Sequence, residues 1–92
     1  MIKQTEADLK QQVKDLLAIK HIFSFAILQA LGSYPGLPDR VIHFRGQVIY
    51  LELKKPKGKL SPHQEAFRDQ CLADGIPYWE IRSYEELEEL LK

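Results

Sequence analysis

Asp39, Glu52 and Lys54 are the residues of this 92-residue chain whose types and spacing could do chemistry. Asp39 ends a loop, Gly36-Leu37-Pro38-Asp39, and the other two lie in an otherwise apolar run, Val48-Ile49-Tyr50-Leu51-Glu52-Leu53-Lys54. Side chains alternate along a strand, so Glu52 and Lys54 project from one face while Leu51 and Leu53 project from the other. A run this apolar reads as a strand buried on both faces, where an isolated carboxylate is costly. A metal ion removes that cost. Hydrolysis of a phosphodiester needs an activated water, neutralisation of charge building on the phosphate and help for the leaving oxygen, and carboxylates holding Mg²⁺ supply much of this. Mg²⁺ prefers oxygen ligands and keeps several waters, so Asp39, Glu52 and the backbone carbonyl of Leu53 form a sufficient set. Lys54 would hold or help deprotonate the attacking water; the alternative is a plain cross-strand salt bridge, which seldom interrupts an apolar strand.

The elements that must position these groups are legible around them. Thr5 followed by Asp8 resembles a capping box with an acid in place of the usual Glu or Gln, and it starts a helix running to about Lys20 with Leu9, Val13, Leu16 and Leu17 as its apolar stripe. Glu6 precedes Val13 by about two helical turns and so lies on that inward stripe. Either the helix dipole favours an acid there, or Glu6 reaches the catalytic cavity. His21 to Leu31 is rich in Phe and Ile and predicts the first strand, and Gly32 to Pro38 a loop. Val41 to Arg45 and Val48 to Lys54 predict two strands joined as a hairpin at Gly46-Gln47. After the basic Pro/Gly loop Lys55 to Lys59, Ser61-Pro62-His63-Gln64 opens a helix with a cap, a proline and a Gln, and Gly75 closes it. Ile76 to Arg82 predicts a last strand, and Ser83 with Glu86 caps a terminal helix whose apolar side is Leu87, Leu90 and Leu91. The expected order is α-β-β-β-α-β-α, in one α/β domain over residues 1–92.

Composition sets the frame. The formal net charge is zero, yet residues 40–68 carry seven bases (Arg40, Arg45, Lys54, Lys55, Lys57, Lys59, Arg68) against Glu52 and Glu65, and residues 69–92 carry two bases against seven acids. A basic middle around a carboxylate pair suits a phosphate backbone, although charged loops and helix faces are a bland alternative. The single cysteine, Cys71, excludes an internal disulfide and a zinc cluster, fits a reducing compartment and reads as core packing. No apolar run approaches the roughly 20 residues of a membrane span, and Met1-Ile2-Lys3-Gln4-Thr5 lacks a signal-peptide layout, so a soluble, cytoplasmic protein is expected. His21, His43 and His63 lack metal-ligand spacing with one another. Tyr34 and Trp79 read as packing residues, and His63 as a surface histidine. A chain this short buries a modest core, so a dimer is plausible.

The arrangement Gly36-Leu37-Pro38-Asp39, then Glu52-Leu53-Lys54, then Lys59-Leu60-Ser61-Pro62-His63-Gln64 closely resembles the VRR-NUC branch of the PD-(D/E)xK nuclease superfamily, over nearly the whole chain. The resemblance implies a restriction-endonuclease-like α-β-β-β-α-β core with a mixed sheet, to which the terminal helix is an addition. It implies that Asp39 and Glu52 bind Mg²⁺ or Mn²⁺, that Lys54 serves the nucleophilic water, that Glu6 is an acid contributed by the first helix, and that Gln64 lies near the site. Gln64 also completes a capping box with Ser61 whether or not the helix is catalytic. Lys55, Lys57, Lys59 and Arg40 look like phosphate contacts flanking the metal. Gly36 and Gly58 lack Cβ atoms that would hinder DNA, though turn geometry alone explains glycine.

Small members of the family resemble homodimeric endonucleases, typically encoded by phages or prophages, that cut four-way (Holliday) DNA junctions. Two-fold symmetry places two metal sites for two cuts. The first helix, the hairpin or the final helix could form the interface. The expectation is therefore a metal-dependent structure-specific endonuclease; the alternatives are a flap or restriction-like nuclease and a catalytically inactive DNA-binding module.

Overall fold

The computed structural model describes residues 4–92; Met1-Ile2-Lys3, the start of the segment read above as unlike a signal peptide, lies outside the described residues. The expected order is present: α1 (Glu6–Ile19), β1 (Ser24–Ala26), β2 (Arg40–Phe44), β3 (Gln47–Leu53), α2 (Pro62–Asp74), β4 (Tyr78–Ile81) and α3 (Tyr84–Leu90). The sheet is mixed, in the order β1-β2-β3-β4, antiparallel across β1/β2 and β2/β3 and parallel across β3/β4, where α2 makes the crossover.

Both capping boxes form. Thr5 accepts from the Asp8 N–H while Asp8 accepts from the Thr5 N–H, showing that a shorter acid can close the box. Ser61 and Gln64 repeat the pattern, with Pro62 at the first helical position and Gly75 ending α2 in the left-handed conformation. The α1 stripe is the one read from the sequence: Leu9, Val13, Leu16 and Leu17 are buried against Ile42, Ile49, Leu51, Leu53 and Ile81 of the sheet and Leu87 and Leu91 at the chain end. Leu90, placed on the same apolar side by its spacing, is exposed instead. The helix is short, and Leu87 and Leu91, one turn apart, suffice to cover α1.

Alternation along the strands divides the sheet into two faces. Ile42, Ile49, Leu51, Leu53 and Ile81 face α1 and α3, and the register puts Arg40, opposite Leu51, on this same face. Val41, Tyr50, Glu52, Tyr78 and Glu80 face the other way, where Phe67 of α2 packs edge-on against Tyr50 at 5.1 Å between ring centroids. The result is three layers, helices on both sides of a sheet.

Three boundaries depart from expectation. The run from His21 to Leu31 yields only the three residues of β1, because β2 begins at Arg40 and leaves no partner beyond Ala26 except the Ile27 N–H bond to the Asp39 carbonyl. His21 itself turns at positive φ to close α1, and Ile27 to Asp39 run as irregular chain tied by Gln29 to the Leu37 carbonyl. The hairpin turns at Arg45-Gly46, one residue earlier than read, since Phe44 pairs with Gln47. Both turn residues have positive φ, 51° and 77°, the backbone a two-residue turn needs to match strand twist. The last strand is likewise trimmed to Tyr78–Ile81.

Candidate active site

The sheet brings Asp39 and Glu52 together because the β2/β3 register, continued one residue past Arg40 and Leu51, sets them opposite each other at the sheet end. Pro38, fully buried, anchors the loop that delivers Asp39. The Asp39 carboxylate accepts from the Leu53 N–H at 2.7 Å. In an extended residue the N–H and C=O point to the same strand edge, so the Leu53 carbonyl is directed to the Asp39 side as well.

Glu52 is the one buried charged residue among those described, 2% exposed. Its Oε1 accepts from Gln64 Nε2 at 2.8 Å and lies 3.9 Å from Lys54 Nζ. Its Oε2 is buried with no hydrogen-bond partner. Burial above all, then the neighbouring charge of Asp39, push the Glu52 carboxyl up to about 8 against the opposing pull of Lys54; contact with Asp39 and the charge of Glu6 add to the rise. A buried oxygen without a donor, beside a second carboxylate, is an electrostatic deficit that a hard cation would relieve.

Gln64 does two things with one amide. Its Oε1 accepts from the Ser61 N–H at 2.9 Å, completing the cap, and its Nε2 holds Glu52. The cap thus fixes the amide orientation that the carboxylate needs. Gly36 sets where this helix end sits: a Cβ there would lie 2.3 Å from the His63 carbonyl oxygen and 2.8 Å from the Gln64 nitrogen, and φ is +82°. Close approach at Gly36 therefore serves α2, whereas the sequence offered DNA as the neighbour.

Glu6 is near enough for its charge to act on Glu52. Among the described residues no three His, Cys, Asp or Glu side chains are clustered to hold a metal ion together. The helix position of Glu6 leads one turn further to Lys10, whose Nζ lies 3.3 Å from Asp39 Oδ1. Lys10 was missed in the sequence; the spacing of Glu6, Lys10 and Lys14 by four residues was the available signal.

A scan against protein-family models finds no match, and a search of curated proteins finds none. A search of solved structures finds a chain described as "VRR_NUC domain", at 21% identity and a TM-score of 0.78, covering 92% of this chain and 91% of that one. The chain has the VRR-NUC fold. Within that fold Lys54 continues the Glu52 face, and the basic loop Lys55 to Lys59 follows it directly. Arg82, next to β4 and opposite Lys54, donates to the Lys55 carbonyl at 2.9 Å and to that of Gly58, and pairs with Glu80. Arg82 is another residue that sequence reasoning missed, and it holds the backbone carrying Lys55, Lys57 and Lys59 beside the carboxylates. Arg40 is separate from that loop, lying on the α1 face with its Nε donating to Ser24 Oγ at 3.1 Å. The basic residues expected from the sequence to flank the acids are thus divided between two sides of Asp39. His63 is exposed, Trp79 packs against Phe44, and Tyr34 touches Phe67 while remaining largely exposed. Cys71 is buried, as its helix position indicated. No described helix is long and apolar enough to cross a membrane.

Proposed function

We propose that this protein is a divalent-metal-dependent endonuclease that hydrolyses DNA phosphodiester bonds. The observation that carries the reading is the Asp39 and Glu52 pair, with a partnerless buried Glu52 oxygen beside the Lys54 ammonium, at the sheet end of a VRR-NUC fold. Asp39, Glu52 and the Leu53 carbonyl are oxygen donors suited to Mg²⁺ or Mn²⁺, which supplies a more acidic water and neutralises charge on the phosphate when bound. The chain's own residues do the rest. In this reading Lys54, its Nζ 3.9 Å from Glu52 Oε1, holds the attacking water and takes part in its deprotonation. Gln64 fixes the Glu52 carboxylate, and Glu6 adds negative potential from α1. Lys55, Lys57, Lys59 and Arg40 contact backbone phosphates.

Branched DNA, with a four-way junction as substrate and a homodimer as the acting species, is the more specific form of the proposal. Two symmetric cuts call for two equivalent sites. Exposed Phe23, Phe25 and Leu31 around the edge strand β1 support a second copy there, a surface different from the two helices and hairpin considered from sequence.

The test is incubation of the protein and its Lys54→Ala variant with labelled junction, flap and linear duplex DNA in Mg²⁺, Mn²⁺ or EDTA. Paired metal-dependent cuts in the junction, lost in the variant, are expected. Cleavage of the flap or duplex alone would remove the junction preference, and binding without cleavage in either metal would leave a DNA-binding module.

A further inference from the structure

A groove of about 410 Å³ opens on the α1 side of Asp39, lined by Lys10, Gln11, Lys14, Asp39, Arg40 and Leu53 among others. It differs in charge from the larger groove between α1 and α3, about 670 Å³, whose charged lining residues are Asp8, Asp15 and Glu85. On the Asp39 side three cations converge. Lys10 is paired to Asp39, while no carboxylate pairs with Lys14 or Arg40 among the described residues. Arg40 is held in place by Ser24 and lowered in proton affinity by partial burial, but a guanidinium stays charged. Across the sheet end, beyond the acids, lies the Arg82-pinned loop with Lys55, Lys57 and Lys59.

We infer that the groove between α1 and the β1–β2 edge seats the phosphodiester backbone on one side of the reacting phosphate, through Lys10, Lys14 and Arg40, with the Lys55 to Lys59 loop on the other side. This rests on the nuclease reading and specifies the path of the strand across the site. Lys10 has a double position. Without a divalent ion its ammonium neutralises Asp39; when a divalent ion takes the carboxylates, Lys10 is released into the same groove, one helical turn from Lys14, to meet a phosphate oxygen. A cation that must leave Asp39 competes with the metal, so Lys10 sets both metal affinity and DNA affinity, whereas Lys14 sets DNA affinity alone.

The experiment compares wild type with Lys10→Gln, Lys14→Gln and a control, Lys20→Gln, at the far end of α1. Binding of labelled duplex and junction DNA is measured in Ca²⁺ over a salt series, and Mn²⁺ binding is measured calorimetrically without DNA. Each lost phosphate contact should lower the salt slope by about 0.9. Lys10→Gln and Lys14→Gln should each show that decrease, Lys20→Gln should not, and Lys10→Gln alone should bind Mn²⁺ more tightly. Wild-type slopes in both groove variants, or an equal loss in the control, overturn the inference while leaving the nuclease reading intact. A change confined to Mn²⁺ affinity in Lys10→Gln reduces Lys10 to a counter-ion and likewise overturns it. Failure of the wild-type protein to bind DNA at all removes the nuclease reading and this inference together.

Discussion

Replacing Gly36 by alanine tests how the helix end is seated against the acid pair. Two effects add. The first is conformational: a Cβ at φ +82° costs roughly 1–2 kcal/mol. The second is steric. The new Cβ would meet the His63 carbonyl oxygen at 2.3 Å and its carbon at 2.4 Å, both backbone atoms, so α2 must retreat by about 1 Å to reach ordinary contact. That movement would stretch the 2.8 Å Gln64–Glu52 hydrogen bond beyond bonding distance and leave the buried carboxylate without its donor, a further 1–3 kcal/mol or so. The sum, about 2–5 kcal/mol, corresponds to a fall in Tm of roughly 10–30 °C for a domain of this size. Gly32→Ala is the matched control, since Gly32 has φ +89° and nothing within 4 Å of its notional Cβ; it should lose only the conformational part. Thermal melts of the two variants, with Mn²⁺ titrations on each, separate the effects. Gly36→Ala should melt well below Gly32→Ala and bind Mn²⁺ more weakly. Equal melting temperatures would refute the claim that Gly36 sets the position of α2 and Gln64.

Glu52 should make the protein less stable as pH rises when chelator is present: the folded carboxyl titrates at about 8 against an ordinary 4.5, so the folded state keeps a proton that the unfolded chain releases between those values. Stability present below about pH 4.5 is then lost up to about pH 8, by something on the order of 3–5 kcal/mol, and Glu52→Gln should flatten the Tm–pH profile; parallel profiles for the two proteins would contradict this. Gln64→Glu keeps a capping residue but sets a third acid against Glu52, so Tm in EDTA should fall and Mn²⁺ should restore it more than in wild type; an equal Mn²⁺ response would count against Gln64 contacting the metal site. Arg82→Gln removes the donors to the Lys55 and Gly58 carbonyls, and limited tryptic digestion should cut after Lys57 and Lys59 several-fold faster, with unchanged cleavage arguing against the pin.

Much of the candidate site was legible because its signals are local. Glu52 and Lys54 share a strand face by alternation, and an acid in an apolar strand is conspicuous without any knowledge of neighbours. Gln64 was visible through its cap, and Ser61-Pro62 and Gly75 marked the ends of its helix. What stayed hidden involves partners distant in sequence. Nothing near Lys10 announces Asp39, nothing near Arg82 announces the carbonyls of residues 55 and 58, and the vacancy that Gly36 provides is filled by His63.

The sequence by itself determined the order of elements, the apolar stripe of α1, both capping boxes and the residue types of the acid pair, since periodicity and capping depend on residues within a few positions of one another. The tertiary structure alone decided how long β1 could be, which residues turn the hairpin, that Arg40 faces α1 while Lys55 to Lys59 lie across the site, and that Glu52 keeps one oxygen without a donor. Strand pairing stops where a partner strand stops, and a carboxylate's proton affinity depends on burial and on charges brought close by the fold.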